Sequence, residues 1–297
     1  MFKIGKLFHL THVVEDLDAV DAWYDEIFAV ERFYKGYEKA ATRHASLLVI
    51  SDIVMEPVQL AYEVPGADQT PIGKFRTHYG QHYHSIAWYA DDVPDGLTRF
   101  DGAGIRLYDV KGRQVTPERP SPAIWTHPKD THALLEFAPT GDYARDPRLK
   151  PDFTDARWRD HPLGLQRTSH VTVLFADLAN ADTVYRDALG GRLLHEEDVA
   201  GRRRSRYYAI GEDSVVEAAQ PLAADSPEGR ELETHGEGVF SATFATSDLA
   251  KATSFLESKG QRLVNDTDGA PSIVLEPDVA FGMRIELSER RIPGDDR

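Results

Sequence analysis

The chain has 297 residues, 41% of them hydrophobic, which suits two ordinary domains or one large one. Its formal net charge of −15 argues against a nucleic-acid-binding protein, because such proteins present a basic surface to the phosphate backbone. The absence of cysteine excludes disulfides and thiolate metal sites, and leaves His, Asp and Glu as metal ligands.

The first predicted element is an alternating apolar strand, FHLTHVV, which carries His9. A helix is predicted to follow, because the Asp16 side chain can cap free backbone N–H groups. Its apolar residues recur at helical spacing and form one face: Leu17, Val20, Trp23, Tyr24, Ile27 and Phe28. A single histidine on a strand is more often structural than a ligand, so His9 needs partners elsewhere in the chain.

The opening pattern recurs in the second half of the chain. SHVTVLFADLANADTVYRDAL aligns with FHLTHVVEDLDAVDAWYDEIF at an offset of 161 positions, from 170 − 9. The offset places His9 over His170, and also places Glu56 over Glu217. Both glutamates end short apolar stretches, so we expect them at the ends of strands.

A second pair of repeats is present, and each of its copies follows one copy of the first pair. YGQHYHSIAWYADDVPDGLTRF aligns with HGEGVFSATFATSDLAKATSFL at an offset of 156, from 241 − 85. Each copy later reaches a strand predicted to end in an acid, Glu136 or Glu286. The chain therefore contains four units, each predicted to run strand, helix and then several strands. Four aspartates precede the predicted helices as caps: Asp16, Asp92, Asp177 and Asp248.

Two further segments are rich in charge. Residues 141–165 are predicted to form a connector across the surface, with Trp158 as its anchor. The tract Gly201-Arg202-Arg203-Arg204 is predicted to be a solvated turn between strands, with contact to an anionic substrate as the alternative.

The H-x-x-x-V-x-x-D-L-D start and the closing G-M-R-I-E-L strand resemble the vicinal oxygen chelate superfamily. That superfamily includes glyoxalase I, methylmalonyl-CoA epimerase, fosfomycin-resistance proteins and extradiol ring-cleaving dioxygenases. The resemblance covers nearly all of the chain except the connector. Four modules in one chain is the layout of type I extradiol dioxygenases and of some fused glyoxalases.

The resemblance implies an α+β fold. Four βαβββ modules would pair into two curved mixed-sheet domains of glyoxalase/dioxygenase type. The expected bounds are a first domain at 1–140 (modules 5–65 and 78–140), the connector at 141–165, and a second domain at 166–297 (modules 166–222 and 234–290).

The resemblance also implies a divalent metal in each domain, with Zn, Fe(II), Mn, Ni and Co left open. Its ligands would be His9, Glu56 and Glu136 in the first domain, and His170, Glu217 and Glu286 in the second. Where another histidine is expected, this sequence has Ser85 and Ser241. One imidazole and two carboxylates leave a divalent site near neutral, so a developing enolate or alkoxide would be stabilised.

Three residues are the catalytic candidates: Glu56, His84 and Ser85. Alternation along a strand predicts that His84 and Ser85 face opposite ways, whereas a one-residue bulge would reverse this expectation. Both halves keep the ligand trio. We favour the first half as the active one, because its additional histidines can supply acid–base groups near neutral pH.

The leading functional hypothesis is a metal-dependent lyase or isomerase acting on a small substrate that chelates the metal through adjacent oxygens. The alternatives are an Fe(II) extradiol-type dioxygenase and a metal-free binding protein. No apolar run reaches the ~18 residues of a membrane span and no signal peptide is apparent, so we expect a cytoplasmic protein without a membrane partner. The sequence leaves open whether the protein forms a homodimer.

Overall fold

The computed structural model describes residues 2–140, 145–199, 201–266 and 271–297. The first four residues of the predicted connector, 141–144, therefore lie outside the described residues, and the domain bounds stay a prediction. Two large sheets account for most of the described chain.

The first sheet contains β1 (Lys3–Val13), β2 (Glu31–Glu38), β3 (Arg43–Ile50), β4 (Ile53–Leu60), β5 (His82–Asp91), β6 (Leu107–Tyr108), β7 (Ile124–Thr126) and β8 (Leu134–Ala138). The second contains β9 (Leu165–Leu174), β10 (Arg192–Val199), β11 (Arg203–Ile210), β12 (Ser214–Pro221), β13 (Gly238–Thr246), β14 (Leu263–Asp266), β15 (Ser272–Leu275) and β16 (Ile285–Ser288).

The two sheets have the same strand order. The first runs β2-β3-β4-β1-β5-β8-β7-β6, and the second runs β10-β11-β12-β9-β13-β16-β15-β14. In each sheet the first strands of two modules pair antiparallel at the centre, while the last strand of each module pairs parallel with its own first strand. These mixed sheets confirm the predicted α+β fold of four βαβββ modules.

The helices are α1 (Leu17–Phe28), α2 (Pro71–Tyr79), α3 (Val93–Gly102), α4 (Pro128–Thr131), α5 (Ala156–Asp160), α6 (Pro227–His235) and α7 (Leu249–Ser258). In the third module a 3₁₀ turn, Leu178–Asn180, and a π-helical segment, Asp182–Ala188, replace the expected α-helix. The four predicted aspartate caps are confirmed, since each carboxylate accepts a backbone N–H at a helix start. None of the helices formed by the described residues is both long and apolar enough to cross a membrane.

The halves are packed against each other through one continuous apolar core that includes residues of both sheets. Trp88 in β5 donates its indole N–H to Ser214 Oγ in β12 at 2.9 Å. Trp158 in α5 is 1% exposed, which confirms its predicted role as the anchor of the connector. The sites at the centre of each sheet are therefore held by a single packed body.

Candidate metal centre

The central strands of the first sheet bring three predicted ligands together. His9 lies on β1, Glu56 on the neighbouring β4, and Glu136 on β8. The His9 Nε2 atom is 3.3 Å from Glu56 Oε2 and 3.3 Å from Glu136 Oε2. Their exposures are 2%, 3% and 5%, so the cluster is buried. Both glutamates lie inside their strands, which corrects the expectation that they end them.

The Glu56 carboxylate is fixed on both oxygens. Thr11 Oγ1 donates to Glu56 Oε2 at 2.7 Å, and Arg43 Nη2 donates to Oε1 at 2.7 Å. Ser85 Oγ in turn donates to Thr11 Oγ1 at 2.9 Å. A chain of hydrogen bonds thus runs from Ser85 through Thr11 to the carboxylate, and Ser85 faces the same side of the sheet as the cluster.

The charges around the cluster do not balance without a further cation. Arg43 pairs with Glu38 at 2.6 Å as well as with Glu56, and Glu136 adds a third carboxylate. Burial opposes a charge on His9, yet attraction from Glu56 and Glu136 outweighs it, and the pKa of His9 is raised. Because one guanidinium faces three carboxylates, the buried cluster has a surplus of negative charge that attracts a proton or a metal ion.

A bulge in β5 decides where His84 points. Thr11 of β1 pairs with Ser85, whereas the next residue, His12, pairs with Tyr83. His84 is therefore the extra residue of a one-residue bulge, which interrupts the alternation of the strand. The expectation that His84 and Ser85 face opposite ways is corrected, because both line one cavity of about 280 Å³.

That cavity opens beside the cluster. Glu136 and Arg43 also line it, so a bound molecule would meet a carboxylate, a guanidinium, an imidazole and a hydroxyl. Burial, together with the nearby charges of Arg43 and His9, lowers the pKa of His84 to about 3. The Nδ1 atom of His84 has no hydrogen-bond partner among the described residues. His84 is therefore a neutral imidazole at neutral pH.

Trp125 holds the second carboxylate of the cluster. Its indole N–H donates to Glu136 Oε2 at 3.0 Å, from the neighbouring strand β7. The same oxygen faces His9, so neither Trp125 nor His9 holds the other oxygen of Glu136. Glu136 is thus the carboxylate of the cluster that both lines the cavity and contacts His9.

The second sheet repeats half of this arrangement. His170 Nε2 is 3.3 Å from Glu217 Oε2, and Thr172 Oγ1 donates to the same oxygen at 2.6 Å. Arg203 takes the place of Arg43, with its Nε 3.3 Å from Glu217 Oε1. Burial raises the pKa of Glu217, but Arg203 and His170 outweigh it and hold that pKa well below its usual range.

The third predicted ligand of the second half is engaged elsewhere. Arg284 Nε donates to Glu286 Oε1 at 3.0 Å, and among the described residues no ion pair joins Glu286 to His170. Arg284 stands where the first half has Leu134, and its guanidinium lies 5.2 Å from the ring centre of Phe240. A buried guanidinium therefore neutralises Glu286 in the second half.

The basic tract is not a solvated turn throughout. Arg202 Nη2 and Arg203 Nη1 reach the buried Glu228 carboxylate at 2.9 Å and 3.0 Å. Only Arg204 lies at the surface, 3.3 Å from Asp198. This corrects the sequence prediction, because two of the three arginines neutralise a carboxylate inside the protein.

Comparisons with known proteins agree with this architecture. The family model described as Glyoxalase/Bleomycin resistance protein/Dioxygenase superfamily matches residues 167–274. The uncharacterized protein YqjC of Bacillus subtilis is 24% identical over 130 residues, which are 42% of this chain and 93% of that protein. Mitochondrial methylmalonyl-CoA epimerase of Mus musculus is 27% identical over 131 residues, which are 42% of this chain and 74% of the relative.

One solved structure matches the whole fold, and another matches less than half of the chain. A variant of 4-hydroxymandelate synthase from Streptomyces coelicolor matches 99% of this chain and 96% of its own chain, with a TM-score of 0.65 and 13% identity. Methylmalonyl-CoA epimerase from Mycobacterium tuberculosis matches 42% of this chain and 87% of its own, with a TM-score of 0.39 and 30% identity. The chain belongs to the vicinal oxygen chelate superfamily.

Members of this superfamily typically bind a divalent metal, and the first-half cluster has suitable donors for one. One imidazole and two carboxylates are hard or borderline ligands, and their surplus negative charge favours a cation. Among the described residues, one group of side chains has three ligand atoms that all lie within 4.8 Å of one another, and it is a different group from this cluster. Both carboxylates are already 3.3 Å from His9 Nε2, so binding of one ion would require them to move closer to each other.

Sequence reasoning missed Arg43 and Arg284. Arg43 reaches Glu56 only because β3 and β4 pair in a particular register, whereas Arg284 lies two residues before Glu286 on the same chain segment, so that alternation places both on one face. The signal available for Arg43 was its counterpart Arg203, which starts the equivalent strand of the second half. The bulge at His84 had a weaker signal, the unusual run QHYHS.

Proposed function

We propose that the protein is a divalent-metal-dependent enzyme of the vicinal oxygen chelate superfamily, with His9, Glu56 and Glu136 as the ligands of its working centre. The reaction would be lyase or isomerase chemistry on a small molecule with adjacent oxygens. The observation that carries this proposal is the approach of one imidazole nitrogen to two buried carboxylates, 3.3 Å in each case, beside a cavity.

The first half is the better candidate for catalysis. Its third carboxylate, Glu136, lines the cavity and contacts His9, whereas Glu286 of the second half is paired with Arg284. We propose that the second half is a structural copy. The predicted ligand set His170, Glu217 and Glu286 would then bind no metal, because the guanidinium of Arg284 already supplies positive charge there.

Each residue of the first centre has a separate task in this proposal. A bound divalent metal would polarise a substrate oxygen and acidify a neighbouring C–H bond. Thr11 and Arg43 hold the Glu56 carboxylate in place beside His9. His84 lines the cavity as a neutral imidazole, and its lowered pKa suits it to hydrogen-bond a bound molecule rather than to take up a proton at neutral pH. Ser85 would orient a substrate oxygen by hydrogen bonding.

The position of Glu56 beside His9 favours lyase or isomerase chemistry over ring cleavage. Extradiol enzymes leave the corresponding module-one position out of their metal triad, whereas here Glu56 is one of the two carboxylates next to His9. The solved 4-hydroxymandelate synthase resembles the whole fold at 13% identity, which concerns architecture alone. The dioxygenase stays the second hypothesis, and the metal-free binding protein the third.

Exchange of a substrate proton with solvent tests the proposal. Methylmalonyl-CoA is the first probe, because relatives that carry the name of its epimerase match this chain. We expect metal-loaded protein in D₂O to exchange an acidic C–H of this thioester or of another small 2-oxo or 2-hydroxy acid, as followed by NMR. Glu136→Gln should reduce the rate by about 100-fold or more, on the scale of general acid–base catalysis.

Glu63→Gln is the matched control, since Glu63 also accepts from a histidine, His44, at 2.6 Å but lies at the surface. Its exchange rate should equal that of the wild type. Oxygen uptake with Fe(II) and a catechol, in the absence of any proton exchange, would support the dioxygenase instead. Protein that binds no divalent metal would support the binding protein. The cytoplasmic location and a homodimer stay predictions.

A further inference from the structure

A second cluster of ligand-type side chains lies at the seam between the halves, away from the candidate centre. His82 Nε2 and His235 Nδ1 each lie 2.7 Å from the same oxygen, Glu231 Oε1. One ligand atom from each of the three residues lies within 4.8 Å of the other two. His82 begins β5 of the first half, whereas the other two residues lie one helical turn apart on α6 of the second half.

The ring of His82 is already oriented as a metal ligand requires. Its Nδ1 atom lies 2.9 Å from the carbonyl oxygen of Tyr83, so an Nδ1–H donates there and directs Nε2 towards Glu231. Ligating histidines commonly donate their second ring nitrogen to a backbone carbonyl in this way, which fixes the tautomer. Burial opposes a charge on His82, but Glu231 outweighs it and raises the pKa of His82, so a proton on Nε2 competes with a metal ion. Without that proton, Nε2 and the carboxylate oxygen are both acceptors, and a cation would satisfy both.

The cluster is accessible and adjoins a cavity. The side chains of His82, Glu231 and His235 are 13%, 20% and 26% exposed, so an ion from solvent can reach them. All three line a cavity of about 370 Å³, together with Phe75 and Tyr79. A metal held there would keep coordination positions open towards the cavity.

The cluster does not arise from the internal repeat. Helix α6 corresponds to α2, in which Phe75 and Tyr79 stand at the positions of Glu231 and His235, at the offset of 156. Phe75 and Tyr79 stack on each other, with ring centres 4.4 Å apart. Glu231 and His235 therefore have no counterpart in α2, and a structural role common to both copies does not account for them.

We propose that His82, Glu231 and His235 form a divalent-metal site that links the two halves. Two imidazoles and one carboxylate favour a borderline ion such as Zn²⁺, Co²⁺ or Ni²⁺. The ligand atoms now lie at hydrogen-bonding distance. To admit a zinc ion they need to separate only slightly, since bonds to zinc are about 2.0–2.2 Å long. The open positions would accept water or a small donor molecule from the cavity. This site shares no ligand with the proposed catalytic centre, although His84 lines the cavities of both.

The test counts metal in the full-length protein. Zn²⁺ is measured by equilibrium dialysis and Co²⁺ by its visible absorption, in the wild type and in His235→Gln. We expect the substitution to remove one equivalent of metal, to abolish the absorption of the corresponding Co²⁺ ion, and to cancel part of the Zn²⁺-dependent rise in Tm. His9→Gln should retain this equivalent, so a failure at one site is distinguished from a failure at the other.

His132→Gln is the matched control. His132 Nδ1 also meets a glutamate of the other half, Glu237, at 2.7 Å, but no third ligand within the described ranges completes that pair. Its metal content should equal that of the wild type. If His235→Gln binds as much metal as the wild type, the cluster is a hydrogen-bonded contact only. Crystals of wild-type protein soaked in Zn²⁺ give a check that needs no variant: an anomalous peak among the three residues is expected, and its absence overturns the proposal.

Discussion

Arg43 controls the charge of the candidate centre without belonging to the ligand set. Its guanidinium contacts Glu56 and Glu38, and its side chain is only 15% exposed. Burial of an arginine is costly, and both carboxylates offset that cost. The pKa of Arg43 is raised because those attractions outweigh burial. Arg43 therefore brings a positive charge to Glu56 Oε1, while Oε2 stays directed to His9.

Arg43→Gln should lower the free energy of unfolding by about 3 kcal/mol, because it leaves a buried carboxylate unpaired. The same change should tighten Zn²⁺ binding at the first centre, since one competing cation is removed. Urea denaturation and metal titration measure the two effects. Arg113→Gln is the control: its ion pair with Asp109 is 2.6 Å long, but Arg113 is 59% exposed, and we expect a loss below about 1 kcal/mol. Equal losses in both variants would refute the role of burial.

The meeting of His9, Glu56 and Glu136 was predictable from the sequence, whereas the surroundings of these side chains were not. His9, Glu56 and Glu136 occur at fixed places in a repeat, and a repeat is visible without coordinates. Arg43 depends on the register between β3 and β4. The direction of His84 depends on one bulge, and a bulge of this kind has no strong local signature in sequence.

At the scale of elements, the connector supports the strand that carries His9. The guanidinium of Arg148 donates to the carbonyl oxygens of Leu7 and Phe8, both at 3.0 Å, and to that of Asp52 at 2.6 Å. It also pairs with the buried carboxylate of Asp146 at 2.6 Å. The pairing of β1 with β5 is irregular on both sides of Leu7, so these contacts satisfy carbonyls where the ladder is interrupted.

Arg148→Lys should lower the free energy of unfolding by about 3 kcal/mol, because a lysine cannot reach several acceptors with one planar group. The displacement of β1 should also weaken metal binding through His9. Chemical denaturation and metal titration test both expectations. Arg159→Lys, at an exposed pair with Asp155 on α5, should change stability by less than about 0.5 kcal/mol. An Arg148→Lys protein as stable as this control would be inconsistent with our account of the connector.

At the scale of the whole molecule, the halves contact each other closely through backbone as well as side chains. His12 Nε2 lies 2.6 Å from the carbonyl oxygen of Phe281, and Tyr24 Oη lies 2.9 Å from Met283 Sδ. Gly282, between them, has a φ of +87°. A Cβ added at Gly282 would lie 1.9 Å from the carbonyl oxygen of Gln81, so only glycine permits this approach of the two halves.

Gly282→Ala should destabilise the protein by clearly more than the ~1–2 kcal/mol that a left-handed conformation costs an alanine, because the halves must also separate. Gly66→Ala separates the two effects: Gly66 has a φ of +81°, but nothing lies within 4 Å of its added Cβ. Differential scanning calorimetry compares the variants. If both lose the same stability, the close packing at Gly282 contributes nothing.

The fold could be predicted at this scale because four repeated units specify two sheets. The contacts between the two halves could not be predicted. They join residues that are far apart in the sequence and are not related by a repeat. His82 and Glu231 are separated by 149 positions, and His12 and Phe281 by 269. Such contacts depend on how two complete sheets dock, and a single sequence carries no local pattern for docking.

Anomalous diffraction from crystals of the purified protein, recorded at the absorption edge of the metal found by elemental analysis, tests the central claim most directly. We predict a peak within about 2.0–2.2 Å of His9 Nε2 and of one oxygen each from Glu56 and Glu136. We predict no peak beside His170 and Glu217, where Arg284 neutralises Glu286. The contradicting result is a metal-soaked crystal in which His9 Nε2 still contacts both glutamates and no anomalous density lies among the three residues. Such a crystal would overturn the assignment of this cluster as the catalytic metal centre.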